Sequence, residues 1–164
     1  GDRFEKIVAA NTGLPTGKAP LSEGFAVFRE FLQIKPDLHV AGQVRNGTTK
    51  GIDENALAAY NAPFPDDDHK QGVRQFPNLV PGTPRTPSAE PNKEAWKILR
   101  EWNKPFLCAF SDKDPIFSGV ENSFYKLIPG CKDMPHVTIE DAGHFLQEDQ
   151  PEACVDAILS IKDI

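Results

Sequence analysis

The chain has 164 residues, 39% hydrophobic and 26% charged, which is enough for one globular domain with a buried core. A formal net charge of −6 argues against a general polyphosphate binder, because nucleic-acid affinity rests on Lys and Arg neutralising phosphates. No apolar run reaches the roughly 18 residues of a membrane span, and no basic, apolar leader pattern opens the sequence, so the expectation is a soluble protein with neither nucleic acid nor membrane as partner.

"EKIVAANTG" (residues 5–13) is an apolar, strand-like run ending in a loop signal. Reached after only four residues, it reads as an interior strand of a larger sheet. From Leu14 to about Pro87 the texture changes, with recurring Pro and Gly and apolar residues in short groups. "SEGFAVFREFLQ" puts Phe25, Phe28, Phe31 and Leu32 at helical spacing behind Ser22 as N-cap. "DENALAAYNAPFP" predicts a second helix, capped by Asp53 and ended by Pro63 and Pro65. "DHKQGVRQFPNLVP" predicts a third, stopped by Pro77. The proline-rich "VPGTPRTPSAEPNKEAW" reads as a surface linker returning the chain to its scaffold.

Ser88 or Asn92 can cap the next helix, whose face carries Trp96, Leu99 and Trp102. "FLCAF" (residues 106–110) has the length and continuous apolar character of a strand buried on both faces of a parallel sheet. "VENSFYKLI" is a helix ended by Pro129-Gly130, and "HVTIE" is another strand. For the last helix the sequence predicts an Asp149/Glu152 capping box, Pro151 in the first turn, and Val155, Ile158 and Leu159 on the buried face. The order is that of an α/β fold with a parallel sheet. It divides into a core strand with the approach to the excursion (1–13), a helical excursion with its return linker (14–87), and a C-terminal core part (88–164). Cys108, Cys131 and Cys154 are odd in number, widely spaced and far from any metal-ligand pattern, so they read as reduced packing residues in a reducing, cytoplasmic compartment. Neither a metal nor a cofactor is expected.

In parallel sheets, functional groups gather at the carboxyl ends of strands. Two such loops each carry one residue with proton chemistry, Asp114 in "SDKDPIF" and His144 in "DAGHF". A buried acid can fix an imidazole's tautomer while the imidazole acts as general base. Gly143 is expected to supply the sharp turn that projects His144 over the sheet edge. Asp112 competes with Asp114 for the acid role, and Asp-Pro is also a common turn starter. His39, His69 and His136 lack such a loop context and are expected at the surface or in packing.

The pairing of "SDKDPIF" with "DAGHFLQED", separated by a helix and a strand, resembles the C-terminal half of α/β-hydrolases. "AAYNAPFPDDDHKQGVRQFPNLVP" looks like the lid of haloalkane dehalogenases, and "EKIVAANTGLPTG" is similar to the strand leading into that lid. The resemblance implies an aspartate nucleophile that forms an alkyl ester, His144 as the base that activates water, and Asp114 as its orienting acid. It also implies pocket walls at Phe25, Phe28 and Phe64 of the lid and Ile116 beside the acid, around a small halogenated aliphatic substrate. Phe28 stands where the family has a halide-binding tryptophan, and phenylalanine has no N–H to donate.

The family's Asp-Trp elbow is absent, and so is G-x-S-x-G; the pairs "GLPTG" and "GTTKG" centre on Pro15 and Thr49. The expectation is that these residues are the second half of a protein of roughly 300 residues. The nucleophile would then lie upstream, on an N-terminal half that acts as partner, and the chain alone would be inactive. Other readings are an epoxide hydrolase, a haloacetate dehalogenase, a serine esterase, or a non-catalytic or split-chain module with an apolar ligand pocket.

Overall fold

The computed structural model describes residues 3–162 and 164; the first two residues of the predicted 1–13 segment lie outside them. Three strands, β1 (Ile7–Ala9), β2 (Phe106–Ser111) and β3 (Val137–Ile139), form parallel pairs in the order β1-β2-β3. Ile7 is in register with Phe106 and Ala9 with Cys108 on one side of β2, and Ala109 with Val137 and Ser111 with Ile139 on the other. Flanked by both neighbours, β2 is buried at all six positions, which is why it reads as an unbroken apolar run instead of an alternating one.

Alternation still decides where its side chains go. Phe106, Cys108 and Phe110 pack on one face with Trp102, Phe124, Ile128 and Cys131. Leu107 and Ala109 pack on the other with Ile139, Ala142, Leu146, Ala157 and Ile161. Full burial of side chains such as Leu107 and Phe106 is worth about 1.5–3 kcal/mol each. All three cysteines are free thiols, Cys108 and Cys131 buried and Cys154 half-buried. A hydrogen bond with Cys131, followed by burial, holds the Cys108 thiol far above its ordinary range.

Two compact units make up the chain. The first holds the residues up to Leu14, Thr48–Lys50 and the chain from Glu94 on; the second holds Pro15–Gly47 and Gly51–Lys93. Within the second, α1 (Glu23–Ile34) is capped by Ser22, whose Oγ accepts from Phe25 N at 3.3 Å, and packs on α4 (Gln71–Leu79). Between them in sequence, α2 (Val40–Asn46) packs on α3 (Glu54–Asn61), where Asp53 Oδ1 accepts from Ala56 N at 2.8 Å. Gly17 has φ +71°, and a Cβ there would stand 2.2 Å from the Thr83 carbonyl oxygen, so the return linker closes on the start of the excursion only over glycine.

Pro77 does not stop α4, which runs on to Leu79. The proline forfeits one hydrogen bond, in a helix with no buried residue. α2 was not legible, because its glycine and short apolar groups give no clear period. α5 (Ala89–Leu99) starts before Asn92, whose side chain donates to the Pro15 carbonyl at 2.7 Å instead of capping. In the first unit, Trp96 of α5 donates Nε1–H to the Leu14 carbonyl at 2.7 Å.

α6 (Glu121–Leu127) lies between β2 and β3, and after β3 come α7 (Leu146–Asp149) and α8 (Pro151–Leu159). The expected face of α8 is wrong: Val155, Ile158 and Leu159 are 53–55% exposed, and Ala157 is the buried residue. The cause is that β3 and α8 meet through small side chains, Ala153, Cys154 and Ala157, which turns the large ones outward. The predicted Asp149 capping box is also absent; Gln150 is the N-cap, and the Asp149 carboxylate bonds elsewhere.

Candidate active site

β2 and β3 run parallel, so their carboxyl ends deliver two loops side by side. The ladder continues past the strands: Asp112 N donates to Ile139 O at 3.2 Å and Lys113 N to Ala142 O at 3.1 Å. Asp112 Oδ1 accepts from Ala142 N at 3.2 Å, so the competitor acid is occupied with loop backbone. Lys113 and Asp141 form an exposed ion pair across the same seam, which raises the Lys113 pKa and lowers that of Asp141.

This seam brings His144 Nδ1 to 3.0 Å from Asp114 Oδ2. Asp114 is 2% exposed, and its other oxygen accepts from Ile116 N at 2.8 Å. An ionised carboxylate only accepts, so Nδ1 carries the proton and donates it to Asp114, leaving the Nε2 lone pair free for a base. Two aromatic rings contact the imidazole. Phe117 stacks at 5.7 Å between centroids and 22° between planes, and Phe145 meets it edge-on at 5.0 Å. Gly13 makes room for Phe117, since a Cβ there would come within 3.2 Å of that ring.

The sharp turn before His144 is not at Gly143: the left-handed residue is Asp141, with φ 54°. Gly143 serves as a hydrogen-bonding peptide. Its carbonyl accepts from Asn11 Nδ2 at 2.9 Å and from Ser111 Oγ at 2.8 Å. Asn11, buried at the end of β1 with φ 36°, also donates to Ser111 Oγ at 2.7 Å and to His144 O at 3.0 Å, while its Oδ1 accepts from Ser111 N at 2.9 Å. One side chain thus ties the end of β1 to the end of β2 and to the histidine loop.

The structure brings together Asp114 and His144, the pair singled out in the sequence, and surrounds them with Asn11, Ser111, Phe117 and Asp149, which the sequence pattern did not place at this edge. Of the four, only Asn11 carried a signal, as a polar residue ending an apolar run. Phe25 and Phe28 lie on α1 with ring centroids 6.4 Å apart, Phe64 follows α3, and all three are half-buried in the second unit; Ile116 is half-buried in the first. A groove of about 340 Å³ in the second unit is lined instead by His39, Arg45, Glu54, Leu57 and Asn61. His69 is exposed and paired with Asp66. His136 accepts from Cys108 N at 3.0 Å and donates Nε2–H to Cys131 O at 2.9 Å, a packing role. Among the described residues no cluster of His, Cys, Asp and Glu could hold a metal ion, and no helix is long and apolar enough to cross a membrane.

The chain is similar to known proteins. A haloalkane dehalogenase of Psychrobacter cryohalolentis is 49% identical over 151 residues, 92% of this chain and 50% of the relative. One from Mycolicibacterium paratuberculosis is 38% identical over 97% of this chain and 52% of its own length. The chain matches the C-terminal half of haloalkane dehalogenases. It spans about half the length of the curated relatives it matches. Haloalkane dehalogenase DpaA from Paraglaciecola agarilytica superposes with a TM-score of 0.87 at 30% identity, over 99% of this chain and 54% of that one. The fold is accordingly the C-terminal part of an α/β-hydrolase. DatA from Agrobacterium tumefaciens, 17% identical with a TM-score of 0.72, shares that fold. No protein-family model matches.

Proposed function

We propose that this chain carries the histidine–acid half of a haloalkane dehalogenase active site and acts when joined to an N-terminal half that supplies an aspartate nucleophile. The nucleophile's carboxylate oxygen attacks the halogen-bearing carbon, the carbon–halogen bond breaks, and halide leaves with the electron pair. The product of that step is an alkyl ester of the aspartate. His144 Nε2 then takes a proton from water, the oxygen adds to the ester carbonyl, and alcohol departs as the carboxylate is regenerated. The net change is haloalkane and water to alcohol, proton and halide.

The observation that carries this reading is the 3.0 Å contact of His144 Nδ1 with the buried Asp114 carboxylate at the ends of adjacent parallel strands. Asp114 holds one tautomer and stabilises the imidazolium that forms. Phe117 and Phe145 shield the ring, so its basicity is spent on a bound water. Within the second unit this reading assigns Phe25, Phe28 and Phe64, and within the first Ile116, to apolar contact with a small halogenated aliphatic substrate.

The test joins this chain to the N-terminal half of the Psychrobacter relative and measures halide released from 1,2-dibromoethane, beside hydrolysis of a p-nitrophenyl ester. Halide turnover is expected, falling roughly 10²- to 10⁴-fold in His144→Ala, with none from the chain alone. Ester hydrolysis without halide release would send the function to an esterase. Halide release by the isolated chain above its His144→Ala control would sink the claim that the nucleophile comes from elsewhere.

A further inference from the structure

Five residues beyond His144, Asp149 is 3% exposed and carries none of the chemistry above. Its carboxylate gathers backbone N–H groups from two separate stretches of chain. Thr49 N lies 3.0 and 2.9 Å from its two oxygens, Lys50 N at 2.9 Å from Oδ1 and Gly143 N at 2.8 Å from Oδ2. Two further bonds close the joint: Lys50 Nζ donates to the Asp149 carbonyl at 2.7 Å, and Thr49 Oγ1 to the Asp141 carbonyl at 2.7 Å. Thr48–Lys50 is an island in sequence, belonging to the first unit while the residues on both sides of it belong to the second.

The consequence falls on the residue before His144. Gly143 has no side chain to anchor it, so its peptide groups are held only through their polar atoms. Asn11 and Ser111 hold its carbonyl, and Asp149 holds its N–H. Without Asp149 one end of that link is free, and both the aim of Nε2 and the Nδ1 contact with Asp114 loosen. Misplacement by about 1 Å far from the chemistry can reduce rate about 10²-fold.

We propose that Asp149 is a positioning residue for His144, fixing the Gly143 N–H and docking the Thr49-Lys50 island onto the histidine loop. The role rests on the dehalogenase reading for its effect on rate, but not for its structural signature. Because the base acts only on the ester intermediate, Asp149 governs the second chemical step and leaves the first alone.

The experiment compares wild type and Asp149→Asn in the joined protein. An asparagine keeps the shape but turns an N–H₂ toward donors. Expected is an undiminished burst of one equivalent of halide from 1,2-dibromoethane, followed by turnover reduced on the order of 10- to 100-fold. A merely structural defect would lower burst and turnover together. A sharp downfield imidazole Nδ1–H resonance in the wild type should broaden in Asp149→Asn, and the wild-type Gly143 amide should exchange slowly with deuterium. Turnover within twofold of wild type, or a Gly143 amide that exchanges like an open loop, would overturn the proposal; the amide measurement decides even if the variant does not fold. A wild-type protein that releases no halide defeats the dehalogenase reading alone, while the imidazole and amide signals still decide the positioning role.

Discussion

Asp114 satisfies both readings that its Asp-Pro context allows. One oxygen accepts from Ile116 N two residues on, as a turn-forming aspartate does, and the other accepts from His144. The turn itself is what aims the second oxygen, so the two roles are not rivals. In Asp114→Asn the turn survives, because an amide oxygen can still accept from Ile116. The amide N–H₂ then faces Nδ1 and favours the wrong tautomer, with its proton on Nε2. Halide turnover of the joined protein should fall roughly 10²- to 10⁴-fold with a melting temperature close to wild type. Asn11 presents a different case at the same sheet edge, a residue whose bonds all go to the neighbouring strand end and loop. Asn11→Leu leaves Ser111 N–H, Gly143 O and His144 O short of a buried partner; the unfolding free energy from urea titration should drop by on the order of 2–4 kcal/mol. The sequence made Asp114 and His144 legible because each stands in a loop directly after an apolar strand. Asn11, Ser111 and Asp149 stayed hidden because they meet across about 100 residues of chain, and no local pattern encodes such a meeting.

At the level of elements, periodicity and caps were reliable where helices end in solvent and misleading where packing chose the face. Ser22 and Asp53 cap as their sequences predict. α8 does not follow its hydrophobicity, because small residues allow close approach to the sheet and the larger Val155, Ile158 and Leu159 face out. Ile158→Gln should therefore change the unfolding free energy of this chain, read by urea titration, by no more than about 0.5 kcal/mol, whereas a buried isoleucine would lose several times that. The C-terminus of α1 has a cap that no local sequence rule predicts. Arg74 of α4 sends Nη1 to the carbonyls of Leu32 and Lys35 at 2.6 and 2.8 Å, and Nη2 to Pro36 at 3.1 Å. Its fork satisfies carbonyls that the helix leaves open and places a cation at the negative end of the dipole. Arg74→Ala should destabilise the second unit by about 1–2 kcal/mol in a thermal melt. Arg74→Lys should recover only part, since one ammonium cannot reproduce three bonds in a fixed fork.

At the scale of the whole chain, the first unit is assembled from three stretches, and a few polar side chains hold them. Lys6 Nζ donates to the Ile161 carbonyl at 2.8 Å, Asn11 joins β1 to the histidine loop, and Asp149 joins the Thr48–Lys50 island to the same loop. Only the last of these titrates in mild acid. Burial pushes the Asp149 carboxyl upward, but the N–H groups of Gly143, Lys50 and Thr49 outweigh it and hold the pKa below the usual carboxylate value. A carboxyl whose folded pKa is depressed contributes stability that is complete above the unfolded value of about 4 and disappears as pH falls through the folded one. Lys50, Lys113 and Asp141 face the same joint, and Asp141 is itself held low by its hydrogen bond to Lys113, so acid acts on more than one group there. The difference between wild type and Asp149→Asn removes that background, because both proteins keep the Lys113–Asp141 pair. Urea midpoints should therefore differ most at pH 7, with wild type the more stable, and the gap should narrow as pH drops below about 4. A gap that stays constant down to pH 3 would mean that Asp149 holds the island through shape alone, and that its charge contributes nothing to the joint.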